Sequence, residues 1–231
     1  MVNEFFNQGR SQVVQLAYTQ DNWRAMGAVS DGVNSANTAA ITTGSGTDAF
    51  AFTARGEYIV SGTWDNFSDY TSPRGSETSV VIGGAGHWQR DKYNAAGAND
   101  EFYTWTFDAI AKFNGASLSG YVVGRHNNPG GGVSVDEFGF VVQGSFYFTD
   151  EWEGFGRYEF GDDDINTDLS ILTVCANYYL DGHNAKWTTD VGLATNSVAG
   201  AWSGAAATGW RTDSATDDGQ VVFRTQLQLL F

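Results

Sequence analysis

Cysteine, proline and basic charge are all scarce in this sequence. Cys175 is the single cysteine in 231 residues, so no intramolecular disulfide can form, and neither can a structural zinc site built on two or more thiolates. It reads as a small buried or lipid-facing apolar residue. Lys and Arg total 12 against 27 Asp and Glu, a net charge of -15. Nucleic acid is thereby excluded as a partner, because such binding rests on cationic groups displacing counterions. No apolar run approaches the ~18 residues a membrane helix needs. The start, Met1-Val2-Asn3-Glu4-Phe5-Phe6, lacks the basic region and apolar core of a signal peptide. Neither absence excludes a membrane barrel, whose strands need only about 9–11 alternating residues.

What is abundant is glycine, 29 against 2 prolines, and aromatic residues, 15% against 17% charged. That mix is unsuited to a coiled coil or a disordered tail. It suits many strands joined by Gly- and Asp-rich turns.

Alternation with period two recurs along nearly the whole chain. Tyr103, Trp105, Phe107, Ala109, Ala111 and Phe113 share one face, while Thr104, Thr106, Asp108, Ile110 and Lys112 share the other. Helical spacing would group Phe102, Trp105 and Asp108, which makes no coherent face. Asn114-Gly115 follows, a favoured two-residue hairpin turn. The same rhythm predicts about eleven strands, near 12–20, 22–30, 49–60, 77–90, 100–113, 116–127, 135–148, 151–161, 168–180, 185–195 and 220–231. Short connections at 20–22, 114–115, 149–150 and 181–184 alternate with long ones at 31–48, 91–99, 128–134, 161–167 and 196–219. Short turns at one rim and long loops at the other are the pattern of an outer-membrane barrel. Residues 61–76 break it, being long on the short-turn rim, and are read as an extra strand or an ordered hairpin. No linker divides the chain, so residues 1–231 form a single domain.

A soluble sandwich buries its apolar face; a membrane barrel turns it to lipid. Three features favour the membrane. Aromatic residues cluster near segment ends on the apolar faces (Trp23, Trp88, Trp152, Tyr158, Phe160, Tyr178, Trp187), where lipid–water interfaces favour them. Charges sit at mid-strand on the opposite faces. The alternating segment Val221, Phe223, Leu227, Leu229 ends on Phe231, which looks like the assembly signal of bacterial outer-membrane barrels.

The stretch Val2-Asn3-Glu4-Phe5-Phe6-Asn7-Gln8-Gly9-Arg10-Ser11, with Val14-Gln15-Leu16 and Ser30-Asp31-Gly32, resembles the phosphate-selective porin family, most of all its planctomycete-type members. Arg55-Gly56-Glu57-Tyr58, the segment from Trp64 to Gly75, and Gly84-Ala85-Gly86-His87-Trp88-Gln89 fit the same resemblance. It implies a larger, sixteen-stranded, trimeric porin made with a signal peptide, of which this chain resembles the C-terminal part. The expected fold is an all-β, antiparallel transmembrane barrel of about twelve strands, or the C-terminal part of that larger barrel. Single-chain bacterial barrels have even strand numbers, so either Met1 is not the true start or residues 1–10 or 61–76 supply another strand.

The family's phosphate selectivity relies on a ladder of lumenal Arg and Lys, which cannot be placed here residue by residue. The polar-face cations are Arg24, Arg55, Lys112, Arg125, Arg157, Lys186 and Arg224; the acids are Glu57, Asp108, Glu137, Glu153, Glu159 and Asp190. These sets nearly cancel, so the acidity belongs to turns and loops, which argues for an acidic vestibule and against a simple anion channel. The expected function is passive diffusion of small hydrophilic solutes or ions across the bacterial outer membrane, with no enzymatic activity and no cofactor. Arg55, Glu57, Asp108, Lys112, Arg125, Arg157, Glu159, Lys186, Asp190 and Arg224 are the expected pore-lining residues. The partners are outer-membrane lipid, the solutes and, through the resemblance, two further copies in a homotrimer.

Two other readings use the same residues. One is a structural barrel with a plugged lumen. The other is a soluble all-β protein binding Ca2+ through Asp162, Asp164 and Asp168, with Asp163 and Asn166 alongside, although no Glu closes that loop. Asp213, Asp217 and Asp218 invite the same comparison, and a solvated acidic loop accounts for both groups. His87, His126 and His183 are too scattered for a zinc site, and neither a nucleophile elbow nor a phosphate loop is present.

Overall fold

The computed structural model describes residues 1–9, 11–32, 49–91, 101–128, 132–165, 168–200, 202–203, 209–214 and 219–230. The expectations placed on Asn166, Asp217, Asp218 and Phe231 lie outside the described residues. Eleven strands run β1 (Val13–Thr19), β2 (Trp23–Ser30), β3 (Ala49–Ser61), β4 (Ser79–Asp91), β5 (Glu101–Phe113), β6 (Ala116–Asn128), β7 (Val135–Tyr147), β8 (Trp152–Asp162), β9 (Leu169–Asp181), β10 (Ala185–Ala194) and β11 (Val221–Leu229). Each lies within two residues of its predicted place. They form one antiparallel sheet in chain order, every strand hydrogen-bonded to its sequence neighbours. Among the described residues no helix is long and apolar enough to cross a membrane.

The expected extra strand is not there. Residues 61–76 hold a 3-10 turn, Trp64–Phe67, closed by a reciprocal capping box between Thr63 and Asn66; that local hydrogen bonding competes with a strand ladder. The first residues form α1 (Val2–Phe5), because Val2, Phe5 and Phe6 share one side at helical spacing. Among the described residues the strand number is therefore eleven rather than about twelve, and the sheet is open: β1 pairs with β2 and β11 with β10, but not with each other. Eleven antiparallel strands also leave β1 and β11 running in the same direction. Joining them directly would make a parallel pair.

The register carries a stagger that alternation alone does not reveal. Paired residues lead from Trp23 at the start of β2 through Tyr58, Ile82, Ala109 and Gly120. They continue through Val142, Tyr158 and Leu172 to Leu193, near the opposite end of β10. A line perpendicular to the strands thus crosses from the short-turn rim to the long-loop rim. Tilted strands with cumulative stagger are what curvature toward a barrel requires.

Burial is inverted relative to a soluble sandwich. On the apolar face Phe107 is 62% exposed, Val174 60% and Phe223 67%, while on the polar face Glu153 is 2% and Lys112 5% exposed. The buried apolar cluster is small and lies on the polar side. There α1 packs with Leu169, Ile171 and Val123 under Val198, Trp202 and Trp210 of the β10–β11 connection. Phe5 and Trp202 bring their rings to 4.3 Å.

Candidate pore-lining face

All ten expected pore-lining residues lie on the polar face, each buried or half-buried. Most of their charges meet an opposite charge close by, several of them on a neighbouring strand. Arg24 and Glu57 occupy paired positions on β2 and β3 and are hydrogen-bonded. Arg125 pairs with Glu137 across β6 and β7. Arg224 Nη2 lies 2.7 Å from Asp190 Oδ1 across β10 and β11. Arg157 Nε is 3.0 Å from Glu159 Oε1, an ionic contact without hydrogen-bond alignment. Opposite charges facing one another across a ladder stabilise the pairing by about 0.2–1 kcal/mol each relative to alanines.

One pair spans an intervening strand. Arg55 on β3 reaches over β4 to Asp108 on β5, with Nη1 at 2.7 Å and Nη2 at 2.8 Å from the two carboxylate oxygens. Beneath its path lies Gly83, where a Cβ would stand 2.7 Å from Arg55 Nη2. The same guanidinium donates to Glu57 at 3.0 Å, so Arg24, Glu57, Arg55 and Asp108 form a continuous row of alternating charge. Lys186 is the polar-face cation that has no carboxylate partner among the described residues; its ammonium lies 5.9 Å from the Tyr179 ring. Glu153 is held by Tyr179 and Asn177, at 2.6 and 2.8 Å, instead of by a cation.

Two inserts cover parts of this face. From the long-loop rim come α1 and the connection after β10. The Met1 ammonium donates to Glu159 at 2.6 Å, and Arg125 lies over the Phe5 and Phe6 rings. From the short-turn rim comes the 62–78 segment. Lys112 Nζ donates to Asp69 at 3.2 Å and to the Asn66 carbonyl, and Ser72 donates to the Phe113 carbonyl. The Arg24 guanidinium sits 4.1 Å from the centre of the Trp64 ring. Burial pushes the Asp69 carboxyl up, but Lys112 and the hydrogen bonds from Thr71 outweigh it, so Asp69 stays below the usual carboxylate range. His183, in the β9–β10 turn, faces both Thr71 at 3.3 Å and Asp69 at 3.6 Å.

Between this insert and the sheet is a cavity of about 610 Å³. It is lined by Arg24, Arg55, Glu57 and Asp108 from β2, β3 and β5, and by Lys186 of β10. Strands distant in the sheet order thus share one cavity, which makes the polar face concave.

Comparison with known proteins adds no template: no family model, no curated protein and no solved structure matches the chain. The site is therefore read from its own geometry.

The acidic loop of Asp162, Asp164 and Asp168 is only partly within the described residues. Among the described residues no three His, Cys, Asp or Glu side chains are placed to hold a metal ion. Asp164 is instead tied into a local turn, its amide donating to Asp162 and its carboxylate accepting from the Asp136 amide. The histidines are separate, His87 on Thr53 and His126 on Asp136. Cys175 is buried on the polar face.

Alternation singled out residues 61–76 as an extra strand or an ordered hairpin but gave no hint that they fold over the polar face, and it did not reveal the α1 and β10–β11 insert. A signal for the latter was present in the glycines at polar-face positions. A Cβ on Gly139 would meet Val2 and Phe6 at 2.8 and 2.9 Å, and one on Gly161 would meet the Trp202 ring at 2.4 Å. Missing side chains on the inward face mark where other segments enter.

Proposed function

We propose that this protein is a porin of the bacterial outer membrane, a passive channel for small hydrophilic solutes or ions. The inverted burial carries the reading: an apolar face open to its surroundings over nearly all strands, and a charged face turned into a concavity. In water the exposed apolar face would drive aggregation; against lipid it is the stable arrangement. Aromatic rings support the same placement. Tyr58, Trp152, Tyr178 and Trp187 lie toward the short-turn rim and Phe52, Trp88 and Tyr103 toward the other, while Ala109, Gly120 and Val142, together with Phe107 and Tyr158, lie between.

Closure with antiparallel neighbours throughout requires an odd number of further strands between β1 and β11. A barrel of twelve or more strands, up to the sixteen of the resembled family, satisfies this. A homotrimer follows from the same family resemblance. The mechanism needs no catalytic group: polar side chains replace part of a solute's hydration, and fixed charges set selectivity. Because most lumenal cations are paired with acids, the conduit is weakly selective. The acidic loops add a slight cation preference that fades with salt.

A planar-bilayer recording in a salt gradient tests this. The expected result is discrete conductance steps with a small cation-selective reversal potential. Strong anion selectivity would overturn the charge argument. The inserts on the polar face favour a second reading, a structural barrel whose lumen is plugged; correctly folded protein that gives no steps would select it.

A further inference from the structure

We propose that the cavity beneath the 62–78 segment is a binding site for a neutral polyhydroxylated solute, a mono- or disaccharide. The inference rests on the channel reading and names the solute class that its lumen would retain.

The charges around the cavity cancel: Arg24, Arg55 and Lys186 stand against Glu57, Asp69 and Asp108. The formal charges of this wall sum to zero, so it carries no overall bias toward ions of one sign, although Lys186 remains a local positive point. It does present alternating donors and acceptors, because the row Arg24–Glu57–Arg55–Asp108 does not exhaust its hydrogen-bonding capacity. Arg55 spends N–H groups on Asp108 and Glu57 out of five. Each Asp108 oxygen accepts one of these bonds and has a second lone pair to offer. A hydroxyl both donates and accepts, so vicinal hydroxyls match this row better than a carboxylate, phosphate or ammonium does.

The insert contributes the other half of the recognition. Trp64 and Tyr70 line the same cavity, and Tyr70 is 66% exposed. Aromatic rings offer an apolar, polarisable surface to the C–H face of a pyranose. A volume of about 610 Å³ lies in the range of small-molecule sites.

The test is isothermal titration calorimetry of the full chain in detergent micelles, with glucose, maltose and inorganic phosphate as separate titrants. Saturable heat with a neutral sugar is expected, weakened about tenfold by Tyr70→Ala and by Asp108→Asn. Tyr70 is an exposed side chain outside the strands, so its removal leaves the sheet intact. Saturation by phosphate alone, no saturation by either sugar, or sugar binding indifferent to both variants would overturn the proposal. Bilayer conductance is scored separately. Sugar binding without conductance refutes only the channel, and conductance without sugar binding refutes only this site.

Discussion

An arginine placed at two depths of the apolar face distinguishes lipid from water as its surroundings. Val142 on β7 is 42% exposed and paired with Gly120 and Tyr158. It lies five residues from Tyr147, the short-turn end of β7. At about 3.4 Å per residue that is ~17 Å along the strand. With a barrel tilt of about 40° it is ~13 Å in depth, half of a ~25 Å apolar band. Val60, 58% exposed, is the penultimate residue of β3 at the same rim. Arginine at the bilayer midplane costs about 2–4 kcal/mol, and near an interface about 0–1. Val142→Arg should therefore lower the folding equilibrium constant roughly a hundredfold, near the middle of that range, while Val60→Arg barely changes it. Guanidinium titration of the protein folded into phospholipid vesicles measures both. On a water-facing surface each substitution would stay within about 0.5 kcal/mol. Equal, small effects at the two depths would refute the lipid-facing assignment.

The other predictions address the polar face. Arg55→Met should shift the reversal potential toward cations and Asp108→Asn toward anions; shifts in one direction for both would show that the row does not line the conduit. Gly161→Leu should unseat Trp202 and raise single-channel conductance together with proteolysis of the β10–β11 connection, and an unchanged conductance would show that Trp202 does not narrow the passage. The Asp69 carboxyl is depressed in the fold, so its contribution is complete above the ordinary carboxylate pKa and is lost as pH falls through the lower folded value. Proteolysis of the 62–78 segment should accordingly rise in acid, and Lys112→Met should give the raised rate at neutral pH already; a pH-independent rate would contradict the Lys112–Asp69 attachment.

The strands were legible in the sequence because each carries its own period-two signal. A register slip of one residue would exchange the faces, and turns such as Asn114-Gly115, with Gly115 at φ 85°, pin the register locally. The same local signal placed the ten expected pore-lining residues on one face of the sheet. The inserts were legible only as breaks in the rhythm. The positions of Met1–Phe6 and residues 62–76 depend on contacts with residues far away in the chain, such as Met1 with Glu159 and Lys112 with Asp69. The partners of Arg55 show the same division: its face was evident from spacing, but its reach to Asp108 depends on the notch at Gly83.

Periodicity and composition alone were enough to place the eleven strand segments, to assign their faces and to show that the charges within the polar face nearly cancel. Four features appear only once the chain is folded: which charges neutralise one another, how far the register staggers across the sheet, that β1 and β11 stay unpaired, and that two non-strand segments occupy the concave side. Those features rest on contacts between residues up to 158 positions apart. No local pattern encodes such a distance, and it becomes defined only when the strands align.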